Sequence, residues 1–135
     1  MLVLRDKGGD TEKITINLGF VDLGRVDLLV QEGFYSNRTD FIRTAIRNQL
    51  TAHGEALKQV VARKMLVLGL QQFSAADLEA VRRAGEKLEI RVLGLATIAA
   101  DVTPELALET IGSLTVLGAL HASAAVKAAL ADRLR

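Results

Sequence analysis

Lys13-Ile14-Thr15-Ile16-Asn17-Leu18 is the segment from which the fold of the N-terminal half is predicted. Apolar and polar residues alternate strictly along it, which predicts a β-strand with one face toward a core. A lone strand leaves its backbone N–H and C=O groups without partners, and no second short strand is predicted before residue 65. We therefore expect it to pair with the same strand of a second copy, as an intermolecular two-stranded antiparallel ribbon.

The two faces of this ribbon predict different roles. The inward face joins two isoleucines of a following helix, and the predicted dimer core is Ile14, Ile16, Leu18, Ile42 and Ile46. The outward face carries Lys13, Thr15 and Asn17 from each copy. The DNA major groove admits a two-stranded ribbon, and these side chains can bond to guanine, thymine and adenine edges. A polar face that is merely solvated is the alternative.

Two helices are predicted after the strand. Apolar residues at helical spacing follow Asp22, which is the expected N-cap, and Gly33 lies where a helix ends. Asn37-Arg38-Thr39-Asp40 then has the pattern of a capping box. The side chain of Asn37 would accept a hydrogen bond from the N–H of Asp40. The carboxylate of Asp40, at the third helical position, would accept one from the backbone N–H of Asn37. The second helix is expected to run on past residue 57, with a weak point at Gly54.

Residues 13–50 resemble the CopG-like branch of the ribbon-helix-helix family of bacterial transcriptional regulators, which bind DNA. The strand and the first helix carry part of the resemblance, and Gly33-Phe-Tyr-Ser-Asn-Arg-Thr-Asp-Phe-Ile-Arg-Thr-Ala-Ile-Arg47 carries the more specific part. The resemblance implies that Lys13, Thr15 and Asn17 contact bases. It also implies that Asn37 and Arg38 contact DNA phosphates, where a helix N-terminus offers free N–H groups and partial positive charge.

An internal repeat occupies the second half of the chain. Val-Leu-Gly begins at Val67, Val92 and Val116, so the copies are 25 and then 24 residues apart. Each unit is predicted to be an apolar strand that turns at its glycine and leads into a short helix, one of which begins at Pro104. Repeats of this period of about 24 residues usually stack, so a solenoid-like domain is expected. The alternative is a chance similarity of Ala- and Leu-rich segments.

Composition excludes several classes of protein. The chain has 135 residues, a formal net charge of +1, no cysteine and two histidines, His53 and His121. We therefore expect no metal site and no cofactor, and we find no catalytic constellation, so the protein is not expected to be an enzyme. No export signal or membrane span is predicted, which favours a cytoplasmic protein without a membrane partner.

The overall expectation is an α+β chain in four parts. They are a flexible arm at 1–10, a ribbon-helix-helix domain at 11–52, a helical connector at 53–64 and the repeat domain at 65–135, which serves assembly or sensing. The function expected is that of a homodimeric, sequence-specific repressor that binds double-stranded DNA and itself, with a higher oligomer through 65–135 as an option. Two alternatives stay open, namely an antitoxin with a toxin-binding tail and a self-assembling scaffold.

Overall fold

The structure is a computed structural model that describes residues 11–135. The arm predicted at residues 1–10 lies outside the described residues. The described chain divides into two compact units, Thr11–Val60 and Val61–Arg135. No helix among the described residues is long and apolar enough to cross a membrane.

Helices make up the N-terminal unit. Helix α1 spans Phe20–Gln31, helix α2 spans Arg38–Ala52 and helix α3 spans Gly54–Lys64. The helical conformation is interrupted at His53, which is the C-cap of α2, so the weak point predicted at Gly54 is confirmed.

Helix α1 begins earlier than the sequence predicts. Its N-cap is Gly19 and Asp22 lies in the first turn, so the N-cap prediction for Asp22 is wrong. The prediction for Gly33 is confirmed: its φ is +87°, and the next N–H, of Phe34, donates to the carbonyl of Leu29 at 2.9 Å. This left-handed glycine ends the helix and turns the chain toward α2.

The strand predicted at 13–18 is not formed within a single chain, because residues 11–19 belong to neither a helix nor a strand. A strand exists through backbone hydrogen bonds to a neighbouring strand, and no segment of the described chain supplies them here. The antiparallel ribbon that a second copy would complete therefore stays a prediction. The sheet of this chain is parallel and lies in the C-terminal unit.

Three parallel strands form that sheet in the order β1-β2-β3. Strand β1 spans Val67–Phe73, β2 spans Leu88–Ile98 and β3 spans Ile111–His121. The repeated glycines lie side by side in the order Gly69, Gly94 and Gly118. The spacing of 25 and 24 residues thus places equivalent residues on neighbouring strands.

The prediction that each strand turns at its glycine is wrong, since all three strands continue through the glycine. The φ angles of Gly94 and Gly118 are +143° and +121°, in the region that favours glycine. A methyl group at Gly94 would overlap the carbonyl oxygen of Gly69, and one at Gly118 would overlap that of Gly94. The motif therefore marks a close approach of strands, which a side chain would prevent.

A short helix follows each strand, and together they cover one face of the sheet. These helices are α4 (Ala75–Arg83), α5 (Pro104–Thr110) and α6 (Ala124–Ala129), and the prediction that a helix begins at Pro104 is confirmed. The core between helices and sheet includes Leu78, Val92, Ile98, Leu106, Leu114, Val126 and Leu130. The described residues contain three strand–helix units, whereas a solenoid that continues beyond them stays a prediction.

Candidate nucleic-acid interface

The segment before α1 exposes both kinds of side chain that the ribbon hypothesis assigns to it. Lys13, Thr15 and Asn17 are all exposed. The apolar side chains between them are exposed too: Ile14 to 72% and Ile16 to 61%. Exposure of β-branched apolar residues at alternate positions indicates a face that a single chain does not bury.

Apolar side chains are left largely unburied throughout the N-terminal unit. Of the residues in Thr11–Val60, all of which the structure describes, Val26 is the one buried hydrophobic residue. Of the predicted dimer core, Ile42 is half-buried and Ile46 is 46% exposed. A unit of this size with so little buried apolar surface does not have a complete core within one chain.

The N-terminus of α2 is built largely as predicted. Its N-cap is Asn37, whose side-chain oxygen accepts from the N–H of Asp40 at 2.8 Å. The carboxylate of Asp40 reaches one residue further back than expected, and accepts from the N–H of Ser36 at 2.9 Å and from the Ser36 hydroxyl at 3.2 Å. These bonds fix the turn by which the chain enters α2.

Arg38, the first residue of α2, is held by a carboxylate of α1. Its Nε and Nη2 atoms donate to the two oxygens of Asp27, each at 2.8 Å, and both side chains are about half exposed. The hydrogen bond from Arg38 and its charge hold the pKa of Asp27 below its usual value, and the pKa of Arg38 is raised in return. The bidentate contact fixes the plane of the guanidinium at the start of the helix.

This geometry still leaves Arg38 able to bind an anion. A guanidinium has five N–H donors, and the Asp27 carboxylate takes two of them. The remaining donors lie at the helix N-terminus, where the backbone N–H groups of the first turn and the helix dipole also favour negative charge. Asp27 was missed by the sequence analysis, because a contact across 11 residues between two helices leaves no local pattern.

No group of three or more His, Asp or Glu side chains that could hold a metal ion occurs in the described part of the chain. His53 lies at the break between α2 and α3, where its ring is 3.2 Å from the side-chain amide of Gln49. His121 is the last residue of β3, and that strand contains no acidic residue.

The comparisons with known proteins bear on almost the whole chain. The model of the ribbon-helix-helix transcriptional regulator family matches residues 9–127, which includes the strand segment, the helices of the N-terminal unit and the three-stranded sheet. No curated protein and no solved structure matches significantly. The match covers well over half of the chain, and the chain therefore belongs to the ribbon-helix-helix transcriptional regulator family.

Proposed function

We propose that this protein is a homodimeric, sequence-specific DNA-binding repressor that reads the major groove with a two-stranded antiparallel ribbon. Residues 13–18 of two copies form the ribbon. The proposal refines the family assignment, which supports DNA binding and transcriptional regulation in general.

The observation that carries the proposal is the uncovered apolar face of the N-terminal unit. Ile14, Ile16 and Leu18 are exposed at every second position, and Val26 is the one buried hydrophobic residue of Thr11–Val60. A second copy that pairs through the same segment would both satisfy the backbone hydrogen bonds and cover this apolar face. Obligate dimers of small domains commonly complete their core in this way.

Pairing through the apolar face directs the polar face outward. Lys13, Thr15 and Asn17 of two copies then give six side chains on one surface of the ribbon. Lys donates to guanine O6 and N7, Asn bonds to adenine in a bidentate manner, and Thr offers a hydroxyl and a methyl group. We assign these residues to base contacts.

Two phosphate contacts, one from each copy, would fix the position of the ribbon on the duplex. We assign them to Asn37 and Arg38 at the N-terminus of α2, where the bidentate bond to Asp27 orients the guanidinium. Contacts of this kind set the register of a protein on DNA, whereas base contacts determine the sequence that it prefers.

The C-terminal unit favours a regulator over an antitoxin. An antitoxin tail that folds only on its toxin is typically short, charged and poor in apolar residues. Residues 65–135 instead have a buried core of aliphatic residues between three strands and three helices. Repression itself requires only that the dimer occupy a promoter in the cytoplasm, and no enzymatic step is part of the proposal.

The ribbon is tested by backbone hydrogen exchange together with DNA binding. In the wild-type chain, the N–H groups of residues 13–18 should be protected, and operator DNA should bind. Ile16→Asp places a charge in the shared core, so protection and binding should both be lost. Thr11→Asp, outside the ribbon, adds the same charge and should retain both.

Two results would contradict the proposal. One is exchange at residues 13–18 of the wild-type chain as fast as in an unstructured peptide. The other is retention of both protection and operator binding by Ile16→Asp, which would show that the apolar face of this segment is not a shared core.

A further inference from the structure

Within the described residues β1 is an outer strand of the sheet, yet it has the geometry of an inner strand. Gly69 has a φ of +113°, close to the values of Gly94 and Gly118. At those two positions, the space that a methyl group would fill is occupied by a carbonyl oxygen of the preceding strand. At Gly69 the equivalent space is open in the described part of the chain. Strand β1 is therefore shaped to receive a preceding strand.

The opposite edge of the sheet is covered over only part of its length. Near the start of β3, Leu134 forms a parallel bridge with Leu114, and the N–H of Arg135 donates to the Leu114 carbonyl at 2.9 Å. The stretch 116–121 lies beyond this cover. It is level with Val67–Phe73, because the register pairs residue 67 with 92 and 92 with 116. The uncovered part of β3 thus has six residues, against seven in β1.

Apolar side chains on the helix-free face match across the two edges. Leu68, Leu93 and Leu117 form one row across the three strands. The two outer members are 66% and 52% exposed, whereas Leu93 in the middle strand is half-buried. A further strand beside either edge would give the outer leucines the neighbours that Leu93 has on both sides.

We propose that C-terminal units stack head to tail, with β1 of one copy parallel to residues 116–121 of β3 of another. The carbonyl oxygen of Gly118 then fills the space at Gly69 of the next copy, as Gly69 does for Gly94 within a chain. The occupant of the edge is a second copy, because this chain itself carries the matching glycine and the matching leucine row on a stretch of similar length. The interface is heterologous, so it extends to open-ended assemblies. It does not depend on DNA binding.

Cysteine cross-linking tests this register, since the chain contains no cysteine of its own. In the variant Leu68→Cys/Leu117→Cys, the two thiols of one chain are separated by β2, about 9.5 Å apart at two strand spacings. That exceeds the reach of a disulfide, whose Cα atoms lie at most about 7 Å apart. Between stacked copies the same two positions are direct neighbours. Mild oxidation of the full-length variant should therefore give a ladder of dimers, trimers and larger species on a non-reducing gel.

Two controls fix the interpretation. Leu68→Cys alone should give no ladder, and Leu68→Cys/Ser113→Cys, on the same face but about 13 Å out of register along β3, should give little. Circular dichroism should show that all three variants are folded, because the substituted side chains are at least partly exposed.

Three outcomes would overturn the proposal. Dimers from Leu68→Cys alone would indicate a closed, two-fold pairing of β1 edges. Equal ladders from the in-register and out-of-register pairs would indicate random collision. No ladder from the folded in-register variant would show that the edge of β1 is not joined to β3 of another copy.

Discussion

At the scale of single residues, Arg38 connects the fold to the proposed phosphate contact. Its guanidinium is oriented by Asp27 at 2.8 Å and lies at the first turn of α2. We predict that Arg38→Ala weakens binding to operator and to scrambled DNA by a similar factor, because a phosphate contact has no sequence preference. With two copies per dimer, the log–log salt dependence of binding should become less steep by about 2.

A matched control for Arg38 is Arg25→Ala. Arg25 lies on α1, has a side chain that is 75% exposed against 56% for Arg38, and forms a salt bridge with Asp22 at 3.8 Å. Arg25→Ala removes the same charge at a position away from the start of α2. Fluorescence anisotropy at several salt concentrations should therefore show a smaller loss of DNA affinity than for Arg38→Ala. An equal loss from both variants would indicate a general effect of charge, and a loss confined to operator DNA would indicate a base contact.

At the scale of elements, the glycine ladder makes a sharp prediction about the sheet. Gly94→Ala adds a methyl group that overlaps the carbonyl oxygen of Gly69, at a φ of +143°. We expect a loss in the free energy of unfolding of about 3 kcal/mol or more, from backbone strain and steric overlap together. Gly69→Ala has a similar backbone strain at φ +113° but overlaps no atom of the described residues, so its loss should be smaller.

Urea unfolding of both variants, at protein concentrations low enough to avoid assembly, measures the difference between their free energies of unfolding. If the two substitutions cost the same, the positive φ alone would explain the glycines, and the close approach between strands would have no energetic role.

The N-terminus of α4 predicts a pH dependence. Asp77 accepts hydrogen bonds from the Ser74 N–H at 2.9 Å, and this bond and that of the Ser74 side chain hold its pKa below the usual value. A depressed pKa stabilises the fold above the unfolded value of about 3.9, and the contribution is lost as the pH falls through the folded value. The melting temperature of the wild type should exceed that of Asp77→Asn at pH 7, and the difference should shrink below about pH 4. A difference that stays constant down to pH 2 would contradict this assignment.

At the scale of the whole molecule, features that depend on neighbouring residues in the sequence could be predicted, whereas contacts between distant segments could not. The cap at Asn37 and the helix end at Gly33 depend on residues close in sequence, and the structure confirms them. The passage of the strands through their glycines could not be predicted, because it depends on a neighbouring strand. The contact of Arg38 with Asp27 was missed for the same kind of reason.

The family match covers more of the chain than the sequence motifs that carried the resemblance. Residues 13–50 carried the resemblance in the sequence, whereas the family model matches residues 9–127. The three-stranded sheet therefore lies wholly within the match. Residues 1–64 carry ten Lys and Arg against eight Asp and Glu, so weak and strongly salt-dependent binding to non-specific DNA is expected.

The central claim is that the outward face of the ribbon reads bases. It is tested most directly by fluorescence anisotropy with the chain's own upstream DNA and a scrambled duplex, at two salt concentrations. We predict that the wild type prefers the upstream DNA and that Thr15→Ala/Asn17→Ala loses this preference while remaining dimeric. Asn48→Ala/Thr51→Ala removes the same side-chain types from exposed positions on α2 and should keep it. Unchanged preference in the Thr15→Ala/Asn17→Ala variant would show that the ribbon is not the element that reads DNA.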